Sequence, residues 1–297
     1  ILQGHSFIES LNNKDLDDLT TLVEINKKNF KGSELKGKTI GIIGLGAIGS
    51  LLAQTVSSMG MNIIGYDPNI SIDSAWQLPR EVKKADTLEY LLSNSDYISL
   101  HVPLVDETKD LISKDSIKYI KEGARLINLS RGGIVNNNDV LYALENNKIS
   151  SFVTDFPTPE MVKRSIEFSD VILLPHLGAS TEEAEVNCAI MAAEQAIKFL
   201  NNGEIVNSVN FPTSFLERST PYRLTIVNQN VPNIIGQITS VIADAGINIA
   251  EMVNKSRDDI AYNMIDLDQD LNQEAIDKLL AVDGVIRVRQ LPYHELN

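Results

Sequence analysis

The sequence holds one cysteine, Cys188, in 297 residues. One cysteine closes no intrachain disulfide and fits a reducing compartment, so the expected location is the cytoplasm. Basic residues are also scarce: 26 Lys and Arg face 40 Asp and Glu, a net charge of -14, with no long basic run. That balance argues against nucleic acid as a partner and gives no pull toward an anionic membrane. No apolar stretch approaches the roughly 20 residues of a membrane span, and the N-terminus lacks a signal-peptide pattern. Internal repeats, low-complexity segments and clusters with metal-ligand spacing are missing too. The length suits about two domains.

What is present is organised around residues 41–67, GIIGLGAIGSLLAQTVSSMGMNIIGYD. A short β-branched run, residues 39–43, suits a buried parallel strand. Gly44, Gly46 and Gly49 follow, spaced G-x-G-x-x-G. Ile48, Leu51, Leu52, Val56 and Met59 then recur at helical spacing, and Gly60 stops the helix. Residues 61–66 form a second buried strand, and Asp67 closes it, 18 residues after Gly49. Gly44 permits a tight turn, Gly46 leaves room for a pyrophosphate, and Gly49 lets helix and strand pack closely. The helix N-terminus offers N–H groups and a positive dipole end to phosphates. Asp67 can accept both hydroxyl hydrogen bonds of an adenosine ribose and repels a 2′-phosphate, so NAD is the expected cofactor.

Further strands are expected at residues 97–100, 125–128, 152–154 and 171–174, with helices at 87–93, 114–120 and 139–146. This alternation predicts βαβ units, that is, an α/β Rossmann-type doubly wound parallel sheet. Ligands in such sheets bind beyond the carboxyl ends of the strands. There fall Asp67, then His101-Val102-Pro103, Ser130-Arg131-Gly132, Asp155 and His176. The pattern Ser180-Thr181-Glu182-Glu183 reads as a capping box opening a helix to about Asn201, which Gly203 ends. Residues 207–221 carry two prolines and read as a linker. Residues 222–291 read strand, helix, strand, strand, helix, strand, the ferredoxin-like βαββαβ order.

Arg131 suits a carboxylate clamp, because its planar fork makes two parallel hydrogen bonds to a planar anion. His176, at a strand end, suits proton transfer near neutral pH. A carboxylate beside it would hold its tautomer and stabilise the imidazolium; Asp155 and Glu160 are both candidates.

KGKTIGIIGLGAIG, INLSRGGIV, TDFPTPE and PHLGAST, in this order and spacing, resemble the D-isomer-specific 2-hydroxyacid dehydrogenases. NQNVPNIIGQ, AGINIAEM and DGVIRVRQL resemble an ACT regulatory domain. The resemblance implies NAD-dependent oxidation of 3-phospho-D-glycerate to 3-phosphooxypyruvate, the first step of a phosphorylated route to L-serine. The alternatives are reduction of glyoxylate or hydroxypyruvate, or a catalytically silent fragment that binds NAD and an amino acid. It implies Arg131 as the substrate arginine, His176 as the acid/base and Glu160 as its support, although Pro159-Glu160 reverses the family's Glu-Pro order. Cofactor contacts are implied at Gly44, Gly46, Ala47, Ile48, Gly49 and Asp67, at His101, Val102, Pro103 and Thr108, and at Ser130, Arg131, Asp155, His176 and Gly178. Asp155 matches the position that holds the nicotinamide carboxamide. In the ACT-like part, Asn230 and Asn248 match serine-binding asparagines, while Asn228 and Asn233 stand where relatives carry a histidine and a glycine. L-Serine is thus an expected effector, and a homodimer or homotetramer the expected assembly. The implied domains are 1–30, a remnant of a substrate domain with its crossing helix; 31–180, NAD-binding; 181–206, a return helix; 207–221, the linker; and 222–297, ACT-like. The chain is expected to be short of the first half of the substrate domain.

Overall fold

The computed structural model describes residues 2–168, 170–178 and 180–291. Ile1 and residues 292–297, the ends of the first and last implied domains, lie outside the described residues. The chain forms two compact units, Ile1–Gly178 and Ala179–Asn297.

The first unit is built on β1 (Thr39–Ile43), β2 (Asn62–Tyr66), β3 (Lys83–Lys84), β4 (Tyr97–Leu100), β5 (Ala124–Asn128), β6 (Ile149–Thr154) and β7 (Val171–Leu173). They make one sheet in the order β3-β2-β1-β4-β5-β6-β7, parallel throughout. The chain reverses its direction of travel across the sheet between β1 and β4, which opens the crevice where such folds bind ligands. Successive residues of a strand face opposite ways. Accordingly Ile40 and Ile42 join one apolar cluster with Ala53, Val56 and Ile63, while Ile43 joins another with Leu91, Leu92, Ile98 and Leu126. A strand covered on both faces has no polar side, which explains the continuous apolar run.

The helix Ala47–Ser58 bears out the predicted face at Leu52 and Val56, which pack in the cluster of Ile40 and Ile42, but not elsewhere. Gly49, Ser50, Ala53 and Val56 are buried, whereas Ile48, Leu51 and Met59 are exposed. Its first turns lie too close to the sheet for large side chains, so Gly49, Ser50 and Ala53 take the inner positions there. Expected helices appear at Leu88–Asn94 and Asn137–Glu145, each N-capped (by Thr87 and Asn136), and the third is cut to Lys114–Ile117. Strand β3 and the helices Ile72–Trp76 and Pro159–Phe168 have no counterpart in the sequence reading.

The second unit opens with the helix Glu182–Asn202, capped by Thr181, whose side chain accepts from Ala184 N. The cap thus sits one residue later than the Ser180 pattern suggested. Gly203 closes this helix with φ 72. Then come β8 (Tyr222–Gln229), β9 (Ile249–Arg257), β10 (Ile260–Leu267) and β11 (Val285–Leu291), in the sheet order β11-β8-β10-β9. Every neighbouring pair is antiparallel, and with the helices Ile234–Asp244 and Gln273–Ala281 this is the βαββαβ arrangement. Leu224, Ile226 and Ile265 pack with Ile238, Ile242 and Leu279 of the helices.

Residues 207–221, read as a linker, pack against the opposite face of the sheet. Ile205 and Ser214 exchange two backbone hydrogen bonds of 2.9 Å. Leu216 and Ile205 join Tyr262 and Met264 in a buried cluster. Arg223 is fully buried with Asp266, its Nε and Nη2 donating at 2.6 and 2.8 Å, while Nη1 donates to Leu216 O at 2.9 Å. Ser219 N donates to the same carboxylate at 2.8 Å. Prolines alone do not free a segment whose apolar side chains have a surface to cover.

Candidate active site and nucleotide cleft

The three glycines have distinct surroundings. Gly44 has φ 91, and a Cβ there would lie 2.6 Å from His101 O; its N–H donates to Tyr66 O at 2.9 Å. The turn therefore ties the ends of β1, β2 and β4 together. A Cβ on Gly49 would lie 2.0 Å from Gly44 O, whereas one on Gly46 would meet nothing within 4 Å. This separates two predictions. Gly49→Ala should cost about 1–3 kcal/mol or more in folding stability through overpacking. Gly46→Ala should leave stability within about 1 kcal/mol yet weaken dinucleotide binding. Urea unfolding and NADH titration of each variant check both.

Gly46 caps the helix with no side-chain hydrogen bond, and Gly46, Ala47 and Ile48 are exposed. Its first-turn N–H groups thus have no side-chain cap, as phosphate binding requires. Asp67 stands at the end of β2, its Oδ2 accepting Leu45 N at 2.8 Å and its Oδ1 accepting Asn69 N at 2.9 Å. Each oxygen keeps a lone pair for a ribose hydroxyl.

At the end of β4, His101 Nε2 lies 2.8 Å from Ser99 Oγ. Burial pushes the His101 imidazole down from 6.5 to about 4. The folded protein keeps it neutral where an unfolded chain would bind a proton. Its contribution to stability is whole above pH 6.5 and is lost as pH falls toward about 4,. The urea midpoint should decline over that window, and His101→Asn should remove that part of the decline.

Ser130 and Thr108 serve the loops themselves. Ser130 Oγ donates to Val102 O at 2.5 Å, and Thr108 Oγ1 donates to Pro103 O at 2.5 Å and accepts Val105 N at 2.9 Å. Arg131 is exposed just beyond β5, the only hydrogen bond of its side chain among the described residues running from Nη1 to Ser130 O. Asn128, buried, fixes this turn: its Nδ2 donates to Arg131 O at 2.9 Å and its Oδ1 accepts Ser130 N at 3.2 Å. Sequence reasoning passed over Asn128, although a polar residue ending an apolar strand is the signal for such a role.

Asp155, 2% exposed, ends β6 and accepts Leu177 N at 3.2 Å and Gly178 N at 3.1 Å. His176 is exposed, with φ 53, and its ring meets Phe156 edge-on at 5.2 Å. Glu160, which the sequence places in a short loop, stands exposed in the first turn of Pro159–Phe168. Among the described residues neither Glu160 nor His176 has a side-chain hydrogen bond or ion pair. The strand ends gather Asp67, His101, Arg131, Asp155 and His176 on one rim of the sheet.

The model of the D-isomer specific 2-hydroxyacid dehydrogenase NAD-binding domain matches residues 10–178. The chain belongs to this family. It is similar to D-3-phosphoglycerate dehydrogenase of Haemophilus influenzae, 35% identical over 274 residues, covering 90% of this chain and 66% of that protein. It is also similar to D-3-phosphoglycerate dehydrogenase 2 of Saccharomyces cerevisiae, 32% identical over 290 residues, covering 90% of this chain and 60% of that one. The chain thus spans about two thirds or less of these relatives' length. Among solved structures it is similar to an NAD complex of a D-isomer specific 2-hydroxyacid dehydrogenase from Lactobacillus delbrueckii, 27% identical, TM-score 0.51, covering 58% of this chain and 56% of that one. The family's cofactor is NAD, and the open Gly46, the uncapped helix terminus and the fixed Asp67 fit it. Among the described residues no helix is long and apolar enough to cross a membrane.

In the second unit the effector expectation meets one correction. Asn228 is fully buried, its Oδ1 accepting Asn263 Nδ2 at 2.6 Å and its Nδ2 donating to Gln229 O at 2.7 Å. It cannot greet a ligand at the surface. Asn230 and Asn248 lie at opposite ends of the sheet, since Gln229 pairs with Ile260, and Ile249 and Tyr222 both pair with Leu267. At the rise of a strand they are roughly 20 Å apart, so one chain cannot close both on one amino acid. Asn233 takes φ 68 at the helix start, a left-handed conformation suited to glycine and tolerated by asparagine.

Proposed function

We propose that the protein oxidises 3-phospho-D-glycerate to 3-phosphooxypyruvate with NAD, the first step of phosphorylated L-serine synthesis. The observation that carries the reaction type is the placement of Arg131 and His176 on the rim that also holds the glycine turn and Asp67. The substrate rests on the relatives' names. NAD supplies a hydride acceptor when bound. His176 takes the proton from the substrate hydroxyl, and Arg131 grips the carboxylate and polarises the C2 oxygen. Glu160 is the carboxylate we assign to support the imidazolium; its helix would have to bring it closer than it stands here. Residues 31–180 act as the nucleotide domain and residues 222–297 as an ACT-type regulatory domain, in the cytoplasm.

The test is NADH formation by the purified chain with 3-phospho-D-glycerate, beside NADH consumption with glyoxylate and hydroxypyruvate. Turnover of phosphoglycerate above the other two supports the proposal. A preference for glyoxylate favours the reductase reading, which a glyoxylate reductase from Paecilomyes thermophila supports at 26% identity and TM-score 0.53. NAD binding without any turnover leaves the silent reading.

Asp67 gives a cofactor prediction. NADP(H) should bind more weakly than NAD(H) by on the order of tenfold, about 1.4 kcal/mol. Equal affinities in a titration would remove the role given to Asp67.

The outer strand β9 offers unpaired backbone groups,. Two copies joined antiparallel along β9 would set Asn248 of one near Asn230 of the other. We assign homodimerisation to this edge and L-serine to its seam. Light scattering, and calorimetry with serine on the wild type and Asn248→Ala, test the pair of statements. A monomer would refute the dimer, and millimolar serine without heat would refute the effector.

A further inference from the structure

The guanidinium of Arg131 leans on its own loop. Among the described residues its single hydrogen bond runs from Nη1 to Ser130 O at 2.7 Å. The place of the fork is therefore set by the backbone of residues 130 and 131. One side chain holds that backbone from within. Asn128, 2% exposed, accepts Ser130 N on its Oδ1 at 3.2 Å and donates from Nδ2 to Arg131 O at 2.9 Å. The two bonds bracket the pair of residues, and between them lies Ser130 O, the carbonyl on which the guanidinium rests. Asn128 is itself well seated. It ends β5, paired with Leu100 of β4 on one side and Thr154 of β6 on the other, and its carbonyl accepts Asp155 N at 3.3 Å. From outside, Ser130 Oγ donates to Val102 O at 2.5 Å and Asp110 N donates to Gly133 O at 2.8 Å. These contacts steady the flanks of the turn, while the Arg131 carbonyl is held by Asn128.

We infer that Asn128 is a positioning residue for Arg131: its carboxamide sets the backbone from which the guanidinium meets the substrate carboxylate. This rests on the reading of Arg131 as the carboxylate clamp. A planar fork that binds two oxygens at once depends on its angle of approach as well as its charge. A local turn made by an asparagine side chain supplies such a fixed angle. Because Asn128 acts through Arg131, its loss should matter only while the arginine is there.

A double-mutant cycle on the full chain tests this. Asn128→Ala removes both bonds. Asn128→Ser keeps a short acceptor near Ser130 N and loses the reach to Arg131 O. In Asn128→Ala, kcat/KM for 3-phospho-D-glycerate should fall about tenfold to a hundredfold, the range of an ångström-scale misplacement, and Asn128→Ser should fall less. In an Arg131→Ala background, Asn128→Ala should add no more than about a twofold loss. NADH affinity, followed by energy transfer from Trp76, the only tryptophan, should stay within about twofold of wild type. Amide exchange at Ser130 should quicken about tenfold or more in Asn128→Ala.

Equal losses of kcat/KM with and without Arg131 overturn the inference, because Asn128 would then act by another route. Lost NADH affinity overturns it too, by marking a direct contact with the cofactor. Unchanged exchange at Ser130 overturns the hold itself. Should Asn128→Ala fail to fold, Asn128→Ser run through the same cycle decides. An Arg131→Ala chain as active as wild type, or a wild-type chain that turns over nothing, refutes the proposed function instead, while exchange at Ser130 still decides whether Asn128 holds the turn.

Discussion

Replacing His176 by alanine should lower turnover of the hydroxy acid about a hundredfold or more. NADH affinity should change little, because the glycine turn and Asp67, the contacts proposed for the nucleotide, lie at the other end of the rim. The expected signature is a large fall in kcat with cofactor binding retained, read by steady-state kinetics and NADH titration. A partner variant, Glu160→Gln, asks which carboxylate supports the imidazolium. Glu160 stands exposed in the first turn of its helix. If it moves in to meet His176, removing its charge should shift the pH–rate profile toward lower pH, since the protonated ring loses support. A profile that does not move would assign the support elsewhere. An Asp155→Asn profile would not answer the same question, because Asp155 binds backbone amides on the histidine loop.

The largest expected effect on folding lies in the second unit. Arg223→Ala leaves the Asp266 carboxylate without its guanidinium in a fully buried position, and should cost about 3–5 kcal/mol. Asp266→Ala should cost a similar amount, since it strands a buried cation. A double substitution to apolar residues of similar size should cost much less, because the charges leave together. Urea unfolding followed by far-UV circular dichroism reads all three; Trp76 lies in the other unit and would not report on it. The pair also has a pH signature. Burial works against the charge of Asp266, but hydrogen bonds from Arg223 and Ser219 and the guanidinium charge outweigh it, holding the carboxyl below its ordinary value of 3.8. The stabilisation is therefore complete above pH 3.8 and is lost as pH falls through the lowered value,. Acid should thus weaken the second unit through Asp266 only at lower pH than the window in which His101 weakens the first.

The elements that could be read from residues alone are those with one dominant local signal. Strands β1, β2 and β4 were legible as apolar β-branched runs, and the turn at Gly44 and the close packing at Gly49 were legible in their spacing. The inner face of Ala47–Ser58 was legible only at Leu52 and Val56, because hydrophobic periodicity points to large residues and the first turns admit only Gly49, Ser50 and Ala53. Residues 207–221 misled through composition: Pro212 and Pro221 signal a break in regular structure, but Leu216 still has an apolar sheet to cover. Strand β3 has two residues, both lysine, and no pattern that short can announce a strand. The helix at Glu160 hides behind Pro157 and Pro159, which read as loop although proline is well placed at a first helical turn. Asn128 was legible as a polar residue ending an apolar strand and was passed over; its bonds to Ser130 and Arg131 lie within three residues of it.

The hydrogen bond from Leu45 N to Asp67 bears on how this protein could change cofactor. The carboxylate suited to reading a ribose also secures the middle amide of the glycine turn, and Leu45 is buried. A substitution that admits a 2′-phosphate by deleting the acid therefore also unties that amide. Selection for NADP use would meet a loss of loop order at its first step, and Asp67→Ala should recover less NADP affinity than the removed repulsion suggests. Asp67→Asn or Asp67→Ser, which keep an acceptor within reach of Leu45, are the passable routes. Cofactor preference in this chain is thus guarded by its folding as well as by its charge.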